Sequence, residues 1–487
     1  MGKLGISNFI LYRWRYYLGF AAIGLLLAAT VLIVTFLSPG GISRAEMDSV
    51  VASTFTPPQT LLGQSPDHIL HLPYRLFQKL SLAALDVNLF AIKLPSMVLA
   101  TGSVLALYGL LRLWFRRNVA IISSIIAVVT GQFLMLIQLG TPAVGYIFWN
   151  AAILYSVSML VRTEKYRIVW LFAATTFAAL SMYSPLQIYI VVALLATCAV
   201  HPHARFVVLQ IKNWALTACA VWFILLVTPL ILSIVQQPSI AATLLGIPAQ
   251  FSWPSLHIVR QQLLQYVGFS SPSSGTRISP AYGLGVVALA LVGLYHLLTA
   301  KYTAKSYILT IWFLLLLPSI VSNPDAVMVT FVPVLLLVAY GIDYIIRSWY
   351  RLFPTNPYAR VFGLIPLSVL VFGLIFSGVE RFVYGYHYDP RSSGAFSNDL
   401  QLLDSVVDAN KNKPILVVVP ESMREFYTVY SDRKPVTPRV QVASALNPLP
   451  GGVTIVHHDS QVTRPGVPSQ ILVSRVTNNA DRFYLYK

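Results

Sequence analysis

The sequence predicts an α-helical polytopic membrane protein of about 11 transmembrane helices, followed by a small extracytoplasmic α/β domain. Three observations carry that prediction. The chain of 487 residues is 56% hydrophobic and only 10% charged, with a mean hydropathy of +0.69. Soluble domains are about 45–50% apolar and about 25% charged, so a soluble enzyme and a disordered chain are both excluded. Second, the apolar residues gather in runs long enough to cross a bilayer, which takes about 20 residues per helix. Third, the composition turns polar at the end: 12 of 34 basic and nine of seventeen acidic residues fall in 381–487.

The first apolar run, 17–38, follows Lys3, Arg13 and Arg15. It is too long for a signal h-region and no small-x-small cleavage site follows it, so it reads as a retained first span. Further runs lie at 93–115, 118–139, 143–161, 167–183, 186–201, 211–234, 281–299, 305–322, 325–346 and 361–380. The stretch 167–201 is interrupted by Tyr183-Ser184-Pro185, and Pro185 sets a helix boundary there, so it crosses twice. Alternate short loops carry Arg112/Arg116/Arg117, Arg162/Lys165/Arg167, Arg205/Lys212, Lys301/Lys305 and Arg347/Arg351/Arg360. With the three N-terminal cations these are 16 of the 34 basic residues, while the loops near 140, 184 and 323 carry none. Basic loops stay inside, so the N-terminus is expected in the cytoplasm and the C-terminal domain outside. The net charge of +17 is then topological, and nucleic acid is not an expected partner. Asp343 lies one turn from Arg347 and reads as an i,i+4 pair. Cys198 and Cys219 both lie in apolar runs and imply no disulfide framework.

This topology divides the chain into a membrane domain, 1–380, and an outer domain, 381–487. It also puts two long loops outside, 39–92 and 235–280, where function is expected to concentrate. In the first loop, Ser43 and Glu46 form the Ser-x-x-Glu pattern of a capping box, so a helix should open there. Glu46 and Asp48 are then about 200° apart around the helix and face opposite ways. The segment 66–80 has apolar residues at 69, 72, 76, 77 and 80, the form of a helix lying in the membrane interface. It carries Arg75 and the pair His68/His71, which lacks a third metal ligand nearby. Lys93 marks the outer boundary of the second span, as a membrane anchor or as a cation for a lipid-linked phosphate.

In the second long loop, Pro254 to Tyr266 reads as an interfacial helix bearing His257 and Arg260, with Phe251 and Trp253 as boundary aromatics. The run from Ser271 to Arg277 is a flexible loop able to act as a lid. In the outer domain, 413–419, 453–456 and 470–476 read as strands and 421–427 as a helix. The last strand pairs with 482–486 across a polar turn. His457 and His458, adjacent on a strand, should point to opposite faces and so make a poor metal pair.

A short first span, an acidic residue just outside it, interfacial helices in the first loop and Lys93-Leu94-Pro95-Ser96 opening the second span resemble the GT-C glycosyltransferases. The resemblance is to the branch of protein O-mannosyltransferases and aminoarabinose transferases, and residues 17–160 carry it best. Three positions depart from that family. Ala45-Glu46 stands where the family has an Asp-Glu pair, Lys93 stands where Arg is usual, and the second outer loop, 138–146, has no acidic residue. Either Asp48 substitutes for the missing Asp or the acceptor differs. The resemblance implies an inverting transfer of a monosaccharide from a polyprenyl-phosphate donor to a hydroxyl of a lipid, glycan or protein acceptor. It needs no cofactor and leaves a divalent metal open. A carboxylate deprotonates the acceptor, and cations stabilise the departing phosphate. Glu46 is expected as the base with Asp48 as the second candidate, and Lys93, Arg75, Arg260 and His257 as phosphate partners. A transporter should instead carry internal repeats and charges near the bilayer midplane, and neither is present. A non-catalytic scaffold is the third reading, favoured by Ala45 and the acid-free second loop. No eukaryotic retention signal ends the sequence, so a bacterial plasma membrane is the expected location.

The orientation has a direct check. A cysteine placed at Ser460 should be labelled by an impermeant thiol reagent in intact cells. Labelling only after lysis would turn the whole membrane domain over.

Overall fold

The computed structural model describes residues 15–37, 41–54, 69–247, 255–267, 281–299, 303–323, 326–384, 395–434, 438–442, 451–462, 466–474 and 480–486. Helix α1 (Arg15–Leu37) leads to a two-residue strand β1 (Ile42–Ser43) and to α2 (Arg44–Thr54). After these come α3 (Leu72–Leu85), α4 (Leu89–Trp114), α5 (Arg117–Val129), α6 (Gly131–Gln138) and α7 (Gly145–Arg162). The chain continues through α8 (Arg167–Ser181), α9 (Ile188–Val200), α10 (Pro202–Leu209), α11 (Asn213–Gln236), α12 (Ser239–Leu244) and α13 (Leu256–Val267). The membrane unit closes with α14 (Leu284–Thr299), α15 (Ala304–Ser322), α16 (Ala326–Val329), α17 (Phe331–Leu352) and α18 (Pro357–Val383).

Among the described residues, six helices are long and apolar enough to cross a membrane: Leu89–Trp114, Pro142–Arg162, Asn213–Gln236, Ala304–Ser322, Phe331–Leu352 and Tyr358–Val383. The number reaches eight if α5 with α6, and α9 with α10, each form one bent span. Shorter apolar helices lie at Gly24–Ile33, Arg167–Ser181 and Leu284–Thr299. The expected runs therefore recur as helices, but length and composition do not give eleven crossings.

One expected span is broken, and another is followed by a sharp bend where its apolar run ends. Within 118–139, α5 and α6 meet at 59°. Thr130 is extended at the break, and the bend packs against α18, where a Cβ on Gly378 would lie 2.2 Å from the Val129 carbonyl oxygen. The run 186–201 ends in a 92° bend between α9 and α10. Pro202 offers no N–H to a continuing helix, and His201 Nδ1 accepts from the Ala204 N–H at 3.3 Å to start the new one.

The interfacial α3 starts at Leu72 with Pro73 in its first turn, where proline costs no hydrogen bond. The start expected at 66, and His68 with it, lies outside the described residues. Its apolar stripe is divided: Ile69 and Leu72 are buried against the protein, and the stripe turns outward further along. Leu76 and Leu80 are 40% and 69% exposed, while Gln78 is fully buried. A helix lying in the interface turns its apolar side to lipid, and its protein side can be polar when every polar group is bonded. Helix α13 likewise buries no residue. Pro254, Phe251, Trp253 and the expected lid at 271–277 lie outside the described residues.

The closest helix contact joins α14 to α17. A Cβ on Gly293 would lie 1.8 Å from the Leu337 carbonyl oxygen, and one on Gly341 2.2 Å from that of Leu289. Small residues let membrane helices touch backbone to backbone. Further along α17, the Arg347 guanidinium meets Asp343 at 2.7 Å, as the i,i+4 spacing predicts.

The tail holds β2 (Phe396–Ser397), α19 (Asp399–Ala409), β3 (Ile415–Val418), α20 (Arg424–Asp432), β4 (Arg439–Gln441), β5 (Val453–His457), β6 (Gln470–Val473) and β7 (Asp481–Tyr486). Five strands form one sheet in the order β4-β3-β5-β7-β6. Strand β3 runs parallel to β4 and β5, and β7 runs antiparallel to β5 and β6. The expected strands and the final pairing recur; β4 and α19 are additions.

The tail is bound to the first outer loop by its backbone. Strand β1 pairs antiparallel with β2, Ile42 opposite Ser397 and Ser43 opposite Phe396. A Cβ on Gly41 would lie 2.4 Å from the Ser397 carbonyl oxygen, so only glycine fits there. Ile42, Met47, Val50, Leu82 and Ile92 from the loop share one apolar core with Leu400, Leu403, Phe426 and Tyr430 from the tail.

Glycine-to-alanine changes separate packing from propensity. Alanine is ordinarily the better helix former by about 1 kcal/mol. Gly341→Ala should nevertheless lower the thermal midpoint of the detergent-purified protein, since overpacking costs about 1–3 kcal/mol. Gly373→Ala in α18, with nothing within 4 Å, should leave it unchanged or raise it. Equal effects would show that the α14–α17 contact has room.

Candidate active site

The capping box expected from the sequence is formed. The Ser43 N–H and hydroxyl donate to Glu46 Oε2 at 2.7 and 2.8 Å, and the Glu46 N–H donates back to Ser43 Oγ at 3.3 Å. Glu46 does more than cap. Its side chain is fully buried, and Oε1 accepts the Gly140 N–H at 2.7 Å. Lys93 Nζ stands 3.8 Å from the same oxygen, with its side chain 4% exposed, and donates to the Gly41 carbonyl at 3.3 Å. One carboxylate thus ties β1, the start of α2, α4 and the second outer loop together.

Gln78 reinforces this arrangement. Its Oε1 accepts from Ser49 and Ser53 at 2.8 and 2.7 Å. Its amide donates to the carbonyls of Ile92 at 3.2 Å and Gly140 at 3.0 Å. The two serines lie on the inner side of α2, so the helix is fixed in rotation about its own axis.

That rotation turns the adjoining face of α2 outward, with Ser49 at the edge between the two. Ala45, Asp48, Ser49 and Ala52 line a cavity of about 460 Å³, closed by His71, Arg75, Thr141, Pro142, Ala143, Tyr146 and Met328. Its volume lies within the ~300–1,000 Å³ of small-molecule sites. The Asp48 side chain is 69% exposed and stands 3.8 Å from Arg44. Ala45 and Asp48 are three residues apart and so share one helix face.

His71 and Arg75 supply the opposite chemistry at the start of α3. His71 adopts a left-handed backbone, φ 57, held by its N–H to the Tyr183 carbonyl at 2.8 Å. Its Nδ1 lies 3.1 Å from Ser184 Oγ, and its ring meets Tyr146 edge-on at 5.7 Å. Burial, then the neighbouring Arg75 cation, pushes the imidazole pKa down to about 3. The ring is therefore a neutral hydrogen-bonding group at pH 7.

Of the six expected site residues, the fold brings two to the cavity, Asp48 and Arg75. Glu46 and Lys93 are not among its lining residues. They are buried together, each occupied by the other segments they hold. His257 and Arg260 are exposed on α13 and do not line the cavity either. Sequence reasoning weighed His71 only as half of a metal pair and gave no role to Tyr146 or Met328. A histidine two residues ahead of a first-turn proline marks a helix start, and that signal was available for His71. Nothing local marks Met328, which comes from a distant part of the chain.

The tail contains a second charged cluster. Arg482 grips Asp399 with two hydrogen bonds of 2.6 Å, and His457 Nε2 lies 3.3 Å from the same carboxylate. Burial would raise the Asp399 pKa, but the Arg482 and His457 hydrogen bonds outweigh it and hold the group below the usual carboxylate range. A depressed pKa means that these bonds stabilise the fold above about pH 4 and are lost as the pH falls. The expectation that His457 and His458 face opposite ways is overturned, for β5 ends at His457 and His458 lies in the turn. Their rings are 4.6 Å apart, and with Asp459 their ligand atoms lie within 4.8 Å of one another. Nδ1 of His457, however, accepts the Asp459 N–H at 3.2 Å, so both its nitrogens are engaged. Arg482 also stands 3.3 Å from His458 Nε2. The cluster is built as a network inside the tail, with a cation already in place.

A family model described as dolichyl-phosphate-mannose-protein mannosyltransferase matches residues 72–232, about a third of the chain. Among curated proteins, none matches. The crystal structure of the Archaeoglobus fulgidus oligosaccharyltransferase in its apo form is similar at a TM-score of 0.52 and 12% identity, over 86% of this chain and 64% of that one. The same archaeal enzyme, AglB, in complex with an inhibitory peptide and a dolichol-phosphate, gives 0.50 and 12%, over 88% and 65%. ArnT from Cupriavidus metallidurans bound to undecaprenyl phosphate gives 0.50 and 10%, over 95% and 97%. This chain therefore spans about two thirds of the oligosaccharyltransferase and nearly all of ArnT. These likenesses show that the chain shares the fold of the two enzymes, the expected GT-C fold.

The Glu46–Lys93 node makes a stability prediction. Removing one partner of a buried pair costs about 3–5 kcal/mol, because the other charge is left unpaired. Glu46→Ala should lower the thermal midpoint sharply. Adding Lys93→Met should recover part of that loss, since the orphaned cation is gone. Additive losses would show that the two side chains do not interact.

Proposed function

We propose that this chain is a membrane glycosyltransferase. It moves a monosaccharide from a polyprenyl-phosphate donor to a hydroxyl of a lipid, glycan or protein acceptor, with inversion, on the outer face of a plasma membrane. The observation that carries the reading is the cavity itself. Asp48 on one wall faces a space whose other wall holds Arg75 and a neutral His71, at the start of a helix whose Leu76 and Leu80 are turned outward. The GT-C fold and the mannosyltransferase family match support the same chemistry.

The roles follow from the geometry. The Asp48 carboxylate accepts the proton of the acceptor hydroxyl as its oxygen bonds to the anomeric carbon. The bond from that carbon to the phosphate oxygen breaks on the opposite side, which inverts the configuration. The phosphate leaves with added negative charge, and Arg75 neutralises it. His71 can hydrogen-bond it without adding charge. Glu46 and Lys93 act at one remove by holding α2 so that Asp48 faces the cavity.

A second reading, a non-catalytic scaffold, has one observation behind it: Ala45 also lines the cavity. The face that would carry the family's aspartate is the correct one, and its side chain is a methyl. Asp48 on the same face one turn later answers that objection.

The test uses membranes and labelled polyprenyl-phosphate mannose. Asp48→Asn should lower kcat by ~10²–10⁴-fold, the usual contribution of a general base. Arg75→Ala should raise the donor KM. A large kcat loss in folded Glu46→Gln together with a normal Asp48→Asn would move the base to Glu46. No transfer by the wild-type chain would favour the scaffold.

A further inference from the structure

We propose that the cleft between α2 and the tail is the acceptor site, and that it takes a neutral saccharide. This rests on the glycosyltransferase reading and adds the missing half of its substrate. The cleft is a second cavity, of about 290 Å³, lined by Arg44, Met47, Asp48 and Val51 on one side. Ser422, Met423, Glu425 and Phe426 of the tail line the other. Asp48 lines both cavities. A general base must reach the acceptor hydroxyl on one side while the reacting carbon waits on the other. A carboxylate on a shared wall meets that requirement, and no other acid in the chain lines both spaces among the described residues.

Topology points to the same edge. Strand β3 has parallel neighbours on both sides, so the chain leaves its carboxyl end where the strand order reverses. Ligands of open α/β sheets collect outside the carboxyl ends of strands at such a switch point. Residues 421–426, which follow β3 and begin α20, are the tail wall of the cleft. Here the switch point opens against the membrane unit.

The lining selects the ligand class. Asp48 and Glu425 put two carboxylates in the cleft. The one cation in the lining, Arg44, is already engaged, 3.8 Å from Asp48 and donating to Ser422 Oγ at 3.1 Å and to the Ser422 carbonyl at 2.6 Å, which leaves Glu425 as the uncompensated charge. A phosphate-bearing or carboxylated acceptor would meet repulsion. Met47, Val51, Met423 and Phe426 give an apolar floor for the C–H face of a pyranose, and the carboxylates accept from its hydroxyls. At about 290 Å³, near the lower end of the ~300–1,000 Å³ range of small-molecule sites, the space fits the end of a glycan.

The experiment measures binding and transfer separately, on the full chain. A panel of neutral di- and trisaccharides is titrated against the purified protein by calorimetry, with sialyllactose as the anionic counterpart and a serine-containing peptide as the protein-like one. At least one neutral sugar should bind, and sialyllactose at least tenfold more weakly. Met423→Trp, which fills the cleft, and Glu425→Lys, which reverses its charge, should each weaken neutral-sugar binding tenfold or more. Donor KM, measured with polyprenyl-phosphate mannose, should stay within twofold in both. No neutral-sugar binding, preferential binding of the peptide or of sialyllactose, or wild-type affinity in both folded variants would each overturn the proposal. Cleft-dependent sugar binding by a protein that turns over no donor would keep the saccharide site but overturn its role as an acceptor site, together with the glycosyltransferase reading.

Discussion

One fully buried carboxylate organises the corner where the 41–54 segment, α4 and the loop at Gly140 meet. An unpaired charge cannot be buried without a large penalty, so Glu46 compels its surroundings to satisfy it. Ser43, Gly140 and Lys93 do so from three parts of the chain. Each partner is held in return, and the loop, the second span and the second outer loop become one rigid corner. Gly140 must be glycine for this approach, since a Cβ there would lie 2.7 Å from Ile92. The exposed position of Asp48 is a consequence: once one face of α2 is committed to Glu46 and Gln78, the adjoining face looks outward.

What was legible in the sequence was what is local. The Ser43–Glu46 box, the opposed directions of Glu46 and Asp48, the apolar runs and the tail strands all depend on residues within a few positions of each other. Which carboxylate meets the cavity depends on Gly140, 94 positions beyond Glu46. Periodicity gives two faces and does not say which one the rest of the fold will claim. The same limit explains α3. Its apolar stripe was visible, but lipid and protein core exert the same pull on leucine, and only the bonding of Gln78 distinguishes the sides. His457 and His458 were misjudged because a strand was assumed to continue one residue past its end.

The boundary at residue 381 marks a change of composition more than a separation in space. Strand pairing of β1 with β2 and a shared apolar core join the tail to the first outer loop. Movement of the tail would therefore pull on β1, and β1 holds the residue that caps Glu46. Asp399 is two residues past β2 and is clamped by Arg482 from the last strand. The final residues of the chain thus help fix the segment that pairs with the active face. A domain attached in this way is not a freely tethered neighbour, and the segment that follows β3 forms one wall of the cleft beside α2.

The alanine at position 45 gains meaning from this geometry. An acid at 45 would face the larger cavity alone, for Ala45 does not line the cleft with the tail. Three residues further on, a helix has risen about 4.5 Å and returned to nearly the same face. Asp48 therefore keeps the direction of a carboxylate at 45 but moves it along α2 to the wall that both spaces share. Under the proposed mechanism, the donor half of the site is left in place by that shift, and the point at which an acceptor hydroxyl loses its proton is displaced toward the tail. A scaffold that had lost its base would have no need of an acid on that wall, still less of one that borders both cavities. Under the proposed mechanism, the departure from the family pattern is a relocation of the base, and the acceptor, more than the donor, is what it changes.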